Sequence, residues 1–132
     1  MYYLLDTHAW VWWLTDSKSL SRKARLLITD QLADRSVYLA SISVWEISQL
    51  ARSGRFTVST DLWEWLQIGI SIPGLSLVPL SAEIAYQSTA LPGEFHKDPA
   101  DRIIVATARS LQATIISKDS LINKYKGVRS VW

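Results

Sequence analysis

His96-Lys97-Asp98-Pro99-Ala100-Asp101-Arg102 sets two carboxylates three residues apart where a helix should begin. Proline lacks an amide hydrogen and is tolerated at the first helical position. With Pro99 there, Asp98 is the N-cap and Asp101 lies in the first turn. Residues three apart share a helix face, so both acids face one way at the positive end of the helix dipole. Three further acids stand at comparable points: Asp6 after the apolar run 2–5, Glu46 three residues beyond Ser43, and Asp119 after the apolar run 113–117. Carboxylates gathered in one place repel strongly unless a cation neutralises them. Carboxylate and water ligands without thiols suit Mg²⁺ or Mn²⁺. Such ions can activate water and stabilise the leaving oxygen of a phosphodiester. The expectation is an acidic pocket that holds a divalent metal.

Each acid also has a purely structural role open to it. Asp6, Asp98 and Asp119 can cap the helices that follow them. Ser43-Val44-Trp45-Glu46 fits a capping box, with Ser43 at the N-cap and Glu46 in the first turn. The joint pattern is what favours a metal site. The chain offers no other engine: it has no G-x-x-x-x-G-K-[ST] phosphate loop, no G-x-G-x-x-G turn and no cysteine. Its histidines, His8 and His96, lack an H-x-x-x-H spacing and read as surface or helix-end residues rather than ligands.

Elements that would position these acids follow from periodicity. Short apolar runs at 2–5, 37–40, 75–80, 113–117 and 128–132 read as strands, with 55–59 as a brief strand or extended turn. Between them lie helical stretches over 7–14, from Ser19 or Ser21 onward, 41–53 ending at Gly54, 62–70, 81–91, 99–111 and 121–125. Strands alternating with helices predict an α/β fold, a three-layer α/β/α sandwich around a mostly parallel sheet. In that arrangement the carboxyl ends of all parallel strands share one edge, where ligands bind. Asp6 and Asp119 end strands there, and Glu46, Asp98 and Asp101 open helices beside them.

With 132 residues, residues 1–132 make one domain with room for a substantial core. A composition 48% apolar and 20% charged excludes a disordered tail. No apolar run approaches the roughly 18 residues that span a bilayer, and the start has no signal-peptide pattern. The absence of cysteine rules out disulfides and fits a cytoplasmic protein. A net charge of only +2 does not by itself argue for a nucleic-acid-binding face. Seven tryptophans are many for this length. The helix at 62–72 is apolar around more than one face, which points to a partner surface.

Leu4-Leu5-Asp6-Thr7-His8, Ser43-Val44-Trp45-Glu46, His96 through Arg102 and Ser117-Lys118-Asp119 together resemble the PIN domain, most closely the VapC-type toxins of bacterial toxin–antitoxin pairs. Order, spacing and length match across essentially the whole chain. The resemblance implies a metal-dependent endoribonuclease. It makes Asp6, Glu46 and Asp101 the core metal ligands, Asp119 the fourth acid, and Asp98 the additional acid of the D-P-x-D-R subgroup. Thr7 and Ser43 fall where hydroxyls support the acids. Arg102 would contact a substrate phosphate or pair with an acid. The resemblance further implies an RNA substrate, a homodimer and a small antitoxin that covers the pocket. Residues 62–72 with Trp10, Trp12 and Trp13 are the candidate antitoxin contacts.

Two other classes remain open on sequence. A phosphatase of the haloacid dehalogenase type also places an Asp after its first strand, but would want a second Asp where His8 stands. A non-catalytic module could keep the fold and bind nucleic acid or protein, although all the core acids are present. DNA in place of RNA is a further variation.

Overall fold

The computed structural model describes residues 1–132 and alternates strands with helices along the chain. The elements are β1 (Tyr3–Leu5), α1 (Thr7–Leu14), α2 (Arg22–Ala33), β2 (Val37–Ala40), α3 (Ser41–Arg52), α4 (Leu62–Ile70), β3 (Leu75–Val78), α5 (Ala82–Thr89), α6 (Pro99–Leu111), β4 (Thr114–Ile116), α7 (Ser120–Lys124) and β5 (Arg129–Val131). Five strands form one sheet in the order β3-β2-β1-β4-β5, and every neighbouring pair is parallel. Residues 55–59 form no strand and take the turn alternative.

Successive strand residues point to opposite faces, and the two cores follow that rule. Leu4 and Ile115 pack with Ile104, Val105 and Ala108 of α6 and Ile122 of α7. Leu5, Leu39 and Ile116 face the other way, against Trp10 of α1, Ala24 and Ile28 of α2, Ile47 of α3 and Leu66 of α4. The sheet is thus covered on both sides, as an all-parallel sheet must be.

Trp10 is fully buried, and its indole Nε1 donates to the Gly69 carbonyl at 2.9 Å. A Cβ at Gly69 would lie 2.9 Å from the Trp10 ring and 2.8 Å from Leu14. Trp10 is therefore a core residue that seats α4 and not part of a partner surface, which corrects the expectation drawn from its neighbours. On α4, Leu66 and Gly69 are buried, while Trp63 (59% exposed) and Ile68 (70% exposed) look outward.

The start of α3 is as expected, but its cap is not. Ser43 does not cap α3. The helix begins at Ser41, directly from β2, with Ala40 at the N-cap and no capping side chain. Glu46 is accordingly in the second turn. The end is as expected: Gly54, just past the cap, has φ +78°, a conformation that glycine adopts without penalty.

The sheet order fixes where a ligand can sit. From β1 the chain steps outward to β2 and β3, then returns to the other side for β4 and β5. The crevice outside the carboxyl ends of β1 and β4 is the switch point of the sheet.

Candidate metal centre

Asp6 is the residue after β1 and the N-cap of α1. It is 4% exposed, and both carboxylate oxygens are engaged. Oδ1 accepts from the Thr7 amide at 2.8 Å; Oδ2 accepts from the Ser117 hydroxyl at 2.6 Å. Capping and site-building are therefore done by one side chain.

Asp119 follows β4 and caps α7, accepting from the Leu121 amide at 2.8 Å. Its own amide donates to Ser117 Oγ at 2.9 Å. Ser117, fully buried, thus links Asp6 to the segment carrying Asp119. In the sequence Ser117 belongs to the Ser117-Lys118-Asp119 motif, and its role appears only in the fold. A buried hydroxyl two residues before an acid at a strand end was the available signal.

Thr7 and Ser43 stand where expected. The Thr7 hydroxyl donates to Glu46 Oε1 at 2.5 Å and lies 2.8 Å from the Ser43 hydroxyl. Thr7, the first residue of α1, thereby ties Glu46 on α3 to the edge carrying Asp6. Asp101 lies in the first turn of α6. Asp98 caps that helix through Oδ1 to the Ala100 amide at 3.0 Å. Asp6, Glu46, Asp101 and Asp119 line one cavity of about 290 Å³. Asp98 is exposed at its edge and does not line it. The apolar wall opposite includes Val11, Trp12 and Phe56.

The electrostatics record the crowding. Burial, chiefly, pushes the Asp101 carboxyl up from 3.8 to about 7, and Asp6, Asp98, Asp119 and Glu46 add to it by repulsion. Glu46 is also raised, first by burial and then by Asp6 and Asp98, with the Thr7 hydrogen bond pulling the other way. Burial lowers His8 against the attraction of Asp6 and Asp119. Its Nε2 accepts from the Lys118 amide at 2.9 Å, which requires that nitrogen to be unprotonated. His8 Nδ1 is 3.6 Å from Asp6 Oδ2. His8 therefore fastens the loop after β4 to α1, and its Nε2 is not free for a metal.

His96 was expected to be peripheral, yet its Nε2 is 3.0 Å from Asp101 Oδ2. The approach does not make a hydrogen bond, and this buried nitrogen has no partner. Arg102 pairs with no acid, which removes one of its two expected roles. It donates to the Ser88 carbonyl at 2.8 Å and to the carbonyls of Phe95 and His96 at 2.9 and 3.2 Å. Its guanidinium joins the end of α5 to the loop before α6 through Nε and Nη1.

Hard oxygen donors, an orphaned imidazole nitrogen and a carboxyl lifted to neutrality fit a divalent cation such as Mg²⁺ or Mn²⁺. As the side chains stand, no three of the acidic and imidazole groups are close enough together to hold a metal ion between them, so a shared ion would draw them inward or be reached through water. Mg²⁺ usually takes one or two carboxylates and keeps several waters, so it does not require three protein ligands at once.

Known proteins resemble this chain in sequence and in fold. Over 131 residues the chain is 32% identical to Ribonuclease VapC22 of Mycobacterium tuberculosis, spanning 97% of this chain and 95% of that protein. VapBC2 of Rickettsia felis, solved with a promoter DNA fragment, superposes with a TM-score of 0.73 at 15% identity, over 99% of this chain and 98% of that one. A toxin–antitoxin complex from Klebsiella pneumoniae gives 0.65 at 18% identity, over 98% and 96%. At those identities the solved structures speak for the fold alone. The sequence profile of the PIN domain matches residues 3–128. With that match spanning nearly the whole length, the chain belongs to the PIN domain family.

Proposed function

We propose that this chain is a divalent-metal-dependent endoribonuclease and the toxin of a toxin–antitoxin pair. The observation that carries the reading is the cavity at the sheet switch point, which Asp6, Glu46, Asp101 and Asp119 all line. The 32% identity to a named ribonuclease over almost the full length supports RNA as the substrate. The likeness to toxin–antitoxin complexes supports an antitoxin partner.

Asp6, Glu46, Asp101 and Asp119 would hold the cation, with Asp98 contributing field from the rim. When bound, such a cation polarises phosphoryl oxygens and makes hydroxide available near neutral pH. The chain's own part is positioning. Ser117 and the Thr7 amide leave Asp6 one orientation, with its remaining lone pairs free. The Thr7 hydroxyl does the same for Glu46. Burial and the neighbouring acids raise the Asp101 carboxyl to about 7, and His96 Nε2 lies 3.0 Å from it without a hydrogen bond. The apolar wall of Val11, Trp12 and Phe56 excludes water from one side and offers a flat surface to a base.

The outward face of α4, with Trp63 and Ile68, together with half-buried Trp12 and Trp13, offers aromatic anchors of the kind protein interfaces use. We place the antitoxin there, and we retain a homodimer as the working assembly in the cytoplasm.

Incubating the purified chain with labelled RNA, with Mg²⁺ or Mn²⁺ and then with EDTA, tests the activity. Cleavage that needs the cation and is lost in Asp6→Asn, with the variant still folded by circular dichroism, is the expected result. Cleavage undiminished by chelator overturns the metal mechanism. Hydrolysis of small phosphate esters without RNA cleavage overturns the ribonuclease.

A further inference from the structure

A chain with a net charge of only +2 spends several of its cations in one place. Three adjoining cavities, of about 190, 620 and 380 Å³, run along α6 away from the acidic centre. The first is lined by His96 and Lys124. It shares Glu94, Lys124 and Tyr125 with the second, and the second shares Arg109, Lys126 and Gly127 with the third. Arg129 lines the far end. The three cavities therefore adjoin as one basic groove along the surface, and the first includes the imidazole that lies 3.0 Å from Asp101.

Its charge is not compensated within the molecule. Lys124, Lys126, Arg109 and Arg129 are all exposed, and none takes part in an ion pair. One acid, Glu94, lines the groove against four cations. The two arginines are held in place by neutral groups: Arg109 donates to the Gly127 carbonyl, and Arg129 donates to the Gln112 carbonyl at 2.7 Å. A carbonyl orients a guanidinium without cancelling its charge, and the remaining N–H donors stay free. Asp101 and Arg109 are eight residues apart on one helix, ~12 Å at ~1.5 Å per residue. A polyanion extending from the acidic centre reaches the level of Arg109 within that rise, with Arg129 lining the cavity beyond.

We infer that this groove binds the phosphate backbone of the RNA strand on one side of the cleavage point. The inference rests on the ribonuclease reading, which names the polyanion that must reach the acidic centre. The acids there repel phosphates, so binding energy has to come from cations outside it, and this row of four leads away from it. Backbone contacts of this kind give affinity without base sequence. The groove therefore sets how tightly and in which direction a strand is held, and leaves base choice to other residues.

Fluorescence anisotropy of a labelled single-stranded RNA long enough to run the groove, in EDTA, tests this directly. Neither the Lys124 nor the Lys126 ammonium makes a hydrogen bond or ion pair in the structure, so Lys124→Ala/Lys126→Ala should fold normally. Its salt dependence of binding should fall by about 0.7 per lost cation, about 1.4 in log Kd against log salt. Lys124→Glu/Lys126→Glu should weaken binding at low salt by about tenfold or more. Unchanged affinity and slope in both variants overturn the inference. So does a loss confined to poly-glutamate with RNA binding intact, which would make the groove a seat for an acidic protein segment. Wild-type cleavage with Mg²⁺ is run in parallel. If the wild type binds RNA through these lysines but never cleaves it, the ribonuclease reading falls and the groove stands. If it cleaves while the variants bind equally well, the reverse holds.

Discussion

Asp101 shows most clearly how position converts an ordinary side chain into a functional one. Its carboxyl is raised from 3.8 to about 7 by burial and by four neighbouring acids. Because the folded value exceeds the unfolded one, the folded state binds the extra proton. Its contribution to stability is complete below about 3.8 and is lost as pH rises to about 7. Without divalent cation, the melting temperature should therefore decline across that window. Added Mg²⁺ or Mn²⁺ should raise it more at pH 8 than at pH 6, since the cation competes with that proton. Calorimetry at the two pH values with and without metal checks both signs. A second comparison separates Asp101 from Asp98. Asn caps a helix about as well as Asp, so Asp98→Asn keeps the α6 start and should cost roughly tenfold in turnover, as a group outside the ligand set does. Asp101→Asn should cost at least about a hundredfold while raising the stability of the metal-free protein. Equal losses in the two variants would make Asp98 a ligand.

Helix starts are where sequence reading succeeded and failed for visible reasons. Asp98-Pro99 begins α6 as the residue types dictate, because the cap and the missing amide are both local facts. Ser21 and Ser81 cap α2 and α5 in the same way. Ser43-Val44-Trp45-Glu46 looked equally local and was not. Ser43 Oγ meets Thr7 from thirty-six positions earlier in the chain, and Ser41 Oγ accepts from the Leu80 amide at 3.1 Å. Both hydroxyls near the start of α3 are spent on tertiary partners, so a capping pattern was present with its function redirected. Arg102 follows the same logic. Three carbonyls from two segments converge on its guanidinium, and no pattern within α6 announces them. Arg102→Ala should lower stability by about 1–3 kcal/mol, the cost of stranding buried hydrogen-bond partners. It should also reduce kcat by loosening the loop that carries His96, with KM little changed. Denaturant midpoints and steady-state kinetics on RNA provide the check, and a rise in KM alone would support the substrate-contact role.

At the scale of the molecule, the parallel sheet decides which charges meet. The helix that follows each of β1, β2 and β4 must begin at the same edge, so the amino ends of α1, α3 and α7 gather there. The N–H groups at those ends partly offset the acids. The same topology separates two surfaces of opposite sign, an acidic cleft at the carboxyl edge and a basic groove along α6. The far face is held by Trp10 standing on the backbone of α4 at Gly69. Gly69→Ala should be destabilising by roughly 1–3 kcal/mol, because a Cβ there meets the Trp10 ring and Leu14 closer than carbon atoms pack. Thermal melts of the variant measure it. Activity per folded molecule should be preserved, since the acidic cleft lies at the carboxyl edge and not in this contact.

Sequence by itself determined the alternation of strands and helices, the acids at strand ends and in the first turn of α6, and the family. Each of these is written in short-range periodicity, caps and spacing, which depend on neighbours a few residues away. The tertiary structure alone decided that Glu46 is held by Thr7, that Ser117 braces Asp6, that His96 rather than Arg102 reaches the acids, that Trp10 is core, and that four scattered cations form one groove. Those outcomes depend on which atoms stand within a few ångströms after the chain has crossed the sheet and returned. A hydroxyl or guanidinium satisfies whichever partner the fold presents, and its residue type does not name that partner.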